Sequence, residues 1–507
     1  MLLLAVGASE ALGQRTARSG QATSGGSDPG DDEALSAQAH RTWRTYGGDP
    51  GFTHYSALDQ IDRVNVSALP RSDEAAPPRA ETAGDEPAQT AVPVEIVEQS
   101  DGGFQLWRGG EPYYVKGAKG AGPHLDRLAR YGGNSVRTSD PEMLDRAHER
   151  GLTVQFHLPV TAQRDGMDYS DPEAVREQKE EVLAMVRKYK DHPAVLFWEL
   201  GNELDHVPDT GDPDAGETTV NWKVYDAVNE LAKAIHEEDP DHPVLTVLGT
   251  GAPEKLGRLQ RRAPALDLIG VNAYADIGQV EAWLEEYGWE RPYVFTEWGP
   301  SGFWQVPQTD WGRAVEETST TKAHLYRERY RSSIRGPEQC VGSYAFLWQQ
   351  HQERTHTWFG MFDAEGRASE AVGVMQHAWT GEWPDNRAPH LNTLIAGGRT
   401  AYGDLRLKPG ERYPASAFAT DRDGDALRYD WEVLPENTNF GYGGQGETKP
   451  PPVSDAVPAD ANQRRIAFIA PSEPGAYRLF AYVYDGNGHY ATANVPFLVE
   501  EPDPAGR

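Results

Sequence analysis

Between Glu111 and about Trp383 the chain repeats one unit, a short apolar run followed by an amphipathic stretch. The runs are Tyr113–Lys116, Ser135–Arg137, Thr153–His157, Val195–Leu200, Val244–Leu248, Leu268–Tyr274, Tyr293–Glu297 and Val341–Trp348. Runs this short, bounded by Pro and Gly, read as buried parallel strands rather than helices. The stretches between them carry helical spacing, as in Pro172–Lys190, where Val175, Val182, Met185 and Val186 recur one or two turns apart, and in Asn221–Glu238. Eight strand–helix units in about 270 residues predict an α/β fold, a (β/α)8 TIM barrel. A doubly wound sheet would need a Gly-rich first turn that is missing here.

In such a barrel every strand C-terminus opens onto one face, so residues far apart in sequence converge there. Pro193-Ala-Val-Leu-Phe-Trp-Glu-Leu-Gly-Asn-Glu-Leu204 delivers Asn202 and Glu203 at the end of the fourth strand. Arg291-Pro-Tyr-Val-Phe-Thr-Glu-Trp-Gly-Pro300 delivers Glu297 at the end of the seventh. With two carboxyl groups at one mouth, one can donate a proton while the other attacks, which is what cleaving a glycosidic bond needs. The attacking group must stay ionised, and Arg137 at the end of the second strand supplies a guanidinium that favours this. The proton donor must begin protonated, which calls for apolar burial and a neighbouring carboxylate. Each feature also has a plain structural reading: Glu203 as a helix cap, Glu297 as a partner for Arg137, Trp298 and Trp348 as core. Glu199 competes for a role but sits inside its strand rather than at the mouth. Their joint occurrence at the ends of several strands favours chemistry.

These motifs carry a resemblance. From Pro112 to Trp383 the chain resembles the clan A glycoside hydrolases, nearest to families two and five, which have an Asn-Glu pair after strand four and a Glu after strand seven. The resemblance implies Glu203 as acid/base, Glu297 as nucleophile and retention of configuration. It also implies that Arg137 lies beside the nucleophile, that Tyr274 of Gly270-Val-Asn-Ala-Tyr274 hydrogen-bonds it, and that Asn202 holds the sugar 2-hydroxyl. His157, ending strand three, is a candidate cleft residue, and Trp298 and Trp348 are candidate substrate-binding aromatics, with Trp348 as a stacking platform. No metal or cofactor is expected, since no His/Asp cluster has metal spacing and Cys340 is the only cysteine. His351-Gln-Glu-Arg-Thr-His356 reads as a polar loop after strand eight that shapes the cleft together with Trp358-Phe-Gly360.

The flanks differ in character. Residues 1–39 read as a signal-peptide remnant, Met1-Leu-Leu-Leu-Ala-Val-Gly7, with a small-residue cleavage site near Ala11-Leu-Gly13, and a Gly/Ser-rich linker. Residues 40–69 resemble the entry segment of pyrroloquinoline-quinone (PQQ) dehydrogenases, but no propeller blade motifs follow and a blade cannot close alone, so a quinone cofactor is not expected. Residues 70–93 form a Pro/Ala/acidic linker, and 94–385 the catalytic domain, entered through a small hairpin. Residues 390–502 show short alternating strands between Gly/Pro turns, predicting a C-terminal all-β, immunoglobulin-like sandwich. Within it Asp421-Arg-Asp-Gly-Asp425 reads as a polar Asx turn, with calcium binding as the alternative.

With 48 basic and 78 acidic residues the formal charge is −30, which disfavours nucleic acid and anionic membrane surfaces. No run approaches the ~20 apolar residues of a membrane span. The expected partner is a carbohydrate substrate, for a secreted or periplasmic protein of undetermined oligomeric state. The aromatic supply (14 Trp and 22 Tyr) and the lack of a basic cleft signature favour a neutral β-glucan or mannan over a uronide. A transglycosylase would share the same covalent intermediate, and a non-catalytic carbohydrate-binding protein is the rival from another class.

Overall fold

The structure, a computed structural model, describes residues 90–100, 102–206, 220–250 and 254–501. The expected signal remnant, the PQQ-dehydrogenase-like segment and nearly all of the linker after it lie outside these residues.

Eight parallel strands close a barrel: β4 (Val115–Lys119), β5 (Ser135–Thr138), β6 (Thr153–Leu158), β7 (Val195–Asn202), β8 (Val244–Gly249), β9 (Leu268–Asn272), β10 (Tyr293–Trp298) and β11 (Cys340–Ala345). They pair in chain order, and β11 returns to β4 through Gly342↔Val115 to Ala345↔Ala118. An α-helix lies in each connection and after the last strand: α1 (Leu125–Arg130), α2 (Glu142–His148), α3 (Pro172–Tyr189), α4 (Lys223–Glu238), α5 (Glu254–Arg262), α6 (Val280–Glu286), α7 (Ser319–Arg329) and α8 (Glu370–Thr380). In α3 the side chain of Asp171 accepts from the Glu173 N–H, satisfying a free helix-terminal donor, and Pro172 starts the helix where no N–H is needed. Val182 and Val186 of this helix are fully buried against the barrel.

The bottom of the barrel is plugged. Leu196, Leu245, Leu268, Val294 and Val341 fill it, and Val94 and Leu106 close it from below. The last two belong to a three-stranded antiparallel sheet of β1 (Val94–Glu98), β2 (Phe104–Arg108) and β3 (Glu111–Tyr113). The expected hairpin is therefore a cap that seals the end opposite the chemistry.

After α8 the chain builds two further sheets. One has the order β12 (His390–Ala396), β14 (Arg412–Thr420), β16 (Arg465–Ile469). The other has the order β13 (Leu405–Leu407), β18 (Tyr490–Val499), β17 (Gly475–Tyr484), β15 (Arg428–Pro435). Leu391, Ala417 and Phe468 of the first share one core with Val433, Leu479, Val495 and Phe497 of the second. Sequence alternation anticipates five of these seven strands; β12 and β13 follow too closely on turn residues to show it.

The all-β unit is fastened to the barrel by polar groups. Glu316, 3% exposed, accepts from Lys322 Nζ at 2.5 Å, Thr357 Oγ1 at 2.8 Å, Thr355 Oγ1 at 2.7 Å and Asn494 Nδ2 at 2.6 Å. The Leu391 and Thr492 N–H groups donate to Thr320 and Ser319 at the start of α7. In the Asp421 turn, Asp421 Oδ1 accepts from the N–H groups of Asp423, Gly424 and Asp425, as an Asx turn requires. Carboxylate oxygens of Asp421, Asp425 and Asp485 come within 4.8 Å of one another.

Candidate active site

The mouth of the barrel is organised by the end of β7. Gly201 (φ +73°) and Glu203 (φ +48°) both have left-handed backbone, and pairing with β8 slips between Glu199 and Asn202. A side chain on Gly201 would run into Leu204, so glycine is required for this turn. Arg164 straps the turn down: its guanidinium donates to the carbonyl of Glu203 and, at 3.0 Å, to that of Asn202. The Glu203 N–H donates to the Val247 carbonyl at 3.0 Å. The result turns two successive side chains toward the opening.

Asn272 at the end of β9 holds both of them. Its Nδ2 donates to Glu203 Oε1 at 2.7 Å and to Asn202 Oδ1 at 3.0 Å. The Thr296 hydroxyl donates to Asn272 Oδ1 at 2.8 Å and so sets the amide's orientation. Asn202 Oδ1 also accepts from Arg137 Nη2 at 2.8 Å. Both bonds end on the oxygen, which leaves Nδ2 as the group Asn202 offers to a ligand. Gly249 makes room: a Cβ there would lie 3.0 Å from Glu203 Cδ.

Glu297, 8% exposed, is surrounded by donors. Its Oε1 accepts from Lys119 Nζ at 2.6 Å and Arg137 Nη1 at 2.7 Å, and its Oε2 from the Tyr274 hydroxyl at 3.0 Å. Burial alone would raise its pKa, but the Lys119 and Arg137 charges outweigh burial and hold it below the usual carboxylate range. Burial and the adjacent Glu297 carboxylate push Tyr274 well above the ordinary phenol value, so it stays a donor. Beneath these groups lies Glu199, fully buried, held as an anion despite that burial by Arg137 and His157. It fixes Arg137 through two bonds, takes Gln155 Nε2 at 2.6 Å, and bonds His157 Nδ1 at 2.7 Å. His157 keeps 28% of its side chain exposed.

The structure thus brings Arg137, His157, Asn202, Glu203, Tyr274 and Glu297 to one opening. It does not bring Trp298 and Trp348 there, and both assignments are corrected. Successive strand residues point to opposite faces, so with Glu297 inside, Trp298 must point out. It is fully buried against Tyr326 and Tyr330, with ring centroids at 5.3 and 5.9 Å. Trp348 is fully buried against Trp379 and Phe362, both at 5.5 Å. The aromatic at the mouth is Phe346, whose ring lies 6.0 Å from Tyr274 and 5.5 Å from Lys119 Nζ. Sequence reasoning also missed Lys119 and Asn272, although each is the last residue of a barrel strand, where a mouth-facing side chain is expected.

The site is thus a closed eight-stranded parallel barrel with two carboxylates at its mouth, one tied to a cation pair and a tyrosine. The chain is similar to several known proteins. Residues 128–308, from α1 through β10 and the loop after it, match the family described as "Glycosyl hydrolases family 2, TIM barrel domain". A β-glucuronidase of Paenibacillus borealis is 25% identical over 285 residues, covering 50% of this chain and 44% of its own. Among solved structures, a Bacteroides uniformis β-glucuronidase is 15% identical with a TM-score of 0.45, over 80% of this chain and 48% of its own. A family 5 mannosidase from Rhizomucor miehei is 13% identical with a TM-score of 0.39, over 56% of this chain and 96% of its own. The chain spans about half the length of the β-glucuronidases it matches.

Proposed function

We propose that this protein is a retaining β-glycosidase that hydrolyses O-glycosidic bonds of a β-linked oligosaccharide or polysaccharide. The observation that carries the reading is the meeting of two carboxylates at one barrel mouth. Glu297 is held ionised by Lys119 and Arg137, and the amide of Asn272 donates to the Glu203 carboxyl. In the first step Glu203 gives its proton to the glycosidic oxygen while a Glu297 oxygen attacks the anomeric carbon, and the leaving sugar departs as an alcohol. In the second, Glu203 takes a proton from water, the water oxygen attacks the same carbon, and Glu297 is released as carboxylate. Asn202 Nδ2 donates to the sugar 2-hydroxyl, a contact that tightens as the oxocarbenium-like transition state forms.

For the sugar, the aromatic mouth supports a neutral β-glucan or mannan. A second reading, a β-glucuronide, is favoured by the Lys119 ammonium beside the nucleophile and by the activity named for the Paenibacillus borealis relative. Product release from β-glucans, mannans and small aryl β-glycosides, glucuronides included, separates them: cleavage of glucuronides alone overturns the neutral reading. Glu297→Gln is expected to lose at least ~10³-fold in turnover, the scale for removing a covalent nucleophile. Longer rather than shorter products would mark a transglycosylase. Glycan binding without turnover in the wild type would mark a binding protein. The apolar Met1–Gly7 stretch supports export, which N-terminal sequencing of the mature protein tests.

A further inference from the structure

The loop after β10 turns back over the site and carries an indole that no step of the chemistry uses. Trp304 is 53% exposed, and its ring stands edge-on to Tyr274 at 5.4 Å, the tyrosine bonded to Glu297. Its placement is built rather than incidental. Gln305 Oε1 accepts from the Ala275 N–H at 3.0 Å and the Gly302 N–H at 3.1 Å, tying the loop to the end of β9. A Cβ on Gly302 would fall 2.5 Å from the indole, so glycine is needed for the ring to sit there.

A second aromatic surface adjoins it. Phe303 packs on Trp304 at 4.7 Å, and the Arg354 guanidinium lies over Phe303 at 4.2 Å. On its other side Arg354 is 3.5 Å from the ring of Phe440, which is 40% exposed and belongs to the C-terminal β unit. The Asn437–Glu447 loop is pinned there: Glu447 Oε2 accepts from the Arg354 N–H at 2.8 Å and from Asn437 Nδ2 at 2.9 Å. His351 of the loop after β11 bonds the Gly443 carbonyl at 3.2 Å. The β unit therefore reaches the rim of the opening that holds the nucleophile. Exposed rings that continue outward from a reacting centre suit the C–H face of a sugar, which meets the negative face of an aromatic ring.

We propose that Trp304 and the Arg354–Phe440 stack form a second sugar subsite, walled in part by the C-terminal β unit, that selects β-linked chains over single glycosides. The proposal rests on the β-glycosidase reading and deepens it. Its test is calorimetric titration of the Glu297→Gln protein with β-1,4-linked gluco- and manno-oligosaccharides, from disaccharide to hexaose, beside turnover of the same series by the wild type. Affinity is expected to rise with chain length. Trp304→Ala should remove about tenfold or more from hexaose relative to disaccharide, the scale of one stacked ring, and Phe440→Ala a smaller part. Melting curves for both variants should stay close to the parent, because both rings reach solvent, Trp304 with 53% and Phe440 with 40% exposure. Equal losses on short and long chains, or no dependence on length, overturn the subsite. Chain-length-dependent binding by a catalytically inert wild type would sink the hydrolase reading and keep the subsite; turnover with equal losses would do the reverse.

Discussion

Replacing Lys119 by Met tests whether the nucleophile's charge is set by the cation pair. Lys119 Nζ lies 2.6 Å from Glu297 Oε1, while Arg137 holds the same oxygen at 2.7 Å and also serves Glu199. At that separation and an effective dielectric near 20, the Coulomb term alone is about 6 kcal/mol. The lysine side chain is 36% exposed, so water screens much of this. A charge-assisted hydrogen bond worth about 1.5–3 kcal/mol is the better scale. If that stabilisation serves the ionised nucleophile, its loss should cost roughly 10- to 100-fold in kcat/KM near neutral pH. The pH profile discriminates more sharply. Glu297 must be ionised to attack, and its pKa is depressed against burial by Lys119 and Arg137. Activity therefore falls as pH drops through that pKa, and without Lys119 the acid limb should move to higher pH. Lys119→Arg, which keeps the charge, should keep the limb low. A drop in kcat/KM with an unmoved limb would refute the reasoning and assign Lys119 to substrate contact.

Gly249→Ala should leave the fold intact, since Gly249 has no left-handed backbone, but its Cβ would press on the Glu203 carboxyl. A fall of about tenfold or more in kcat with an unchanged melting temperature is expected, on the scale of a small misplacement of a reacting group. Glu316→Gln strands Lys322 in a buried site and should destabilise by about 3–5 kcal/mol, read by thermal melting. Burial opposes ionisation of Glu316, but Lys322 and Arg478 prevail and depress its pKa. Its stabilising contribution is thus complete above the carboxylate's unfolded pKa and is lost as pH falls through the folded one. The gap in melting temperature between wild type and Glu316→Gln should close in acid. Trp348→Phe should lower the melting temperature and spare substrate affinity. Weaker sugar binding at unchanged stability would reinstate Trp348 as a platform.

The barrel was legible in the sequence because its strands are buried on both faces, so each stands out as an apolar run between turn residues. The site was legible where function departs from that pattern. An Asn-Glu pair or an Arg at the end of an apolar strand makes no sense as packing, and this is why Arg137, Asn202, Glu203 and Glu297 could be named. Trp298 stands at a strand end beside Glu297, yet a one-residue step along a strand moves a side chain from the barrel interior to the helix layer. Trp348 lies beyond β11, which ends at Ala345, so no strand alternation sets its direction. Glu297 inside and Trp298 outside cannot share the cleft, and that alternation could have been applied in advance. Lys119 and Asn272 were missed for the opposite reason. They occupy inward positions at strand ends, but Lys and Asn read as surface residues when no charged partner is near in sequence; their partners lie 178 and 69 residues away. Phe440 is further still from sequence reasoning, since its approach to Arg354 depends on how the β unit docks. That docking runs through Glu316, Thr355, Thr357 and Asn494, and Thr355 immediately follows Arg354. The contact that stabilises the junction therefore also positions the guanidinium beside Phe440, so loss of Glu316 should loosen the rim of the cleft along with the fold.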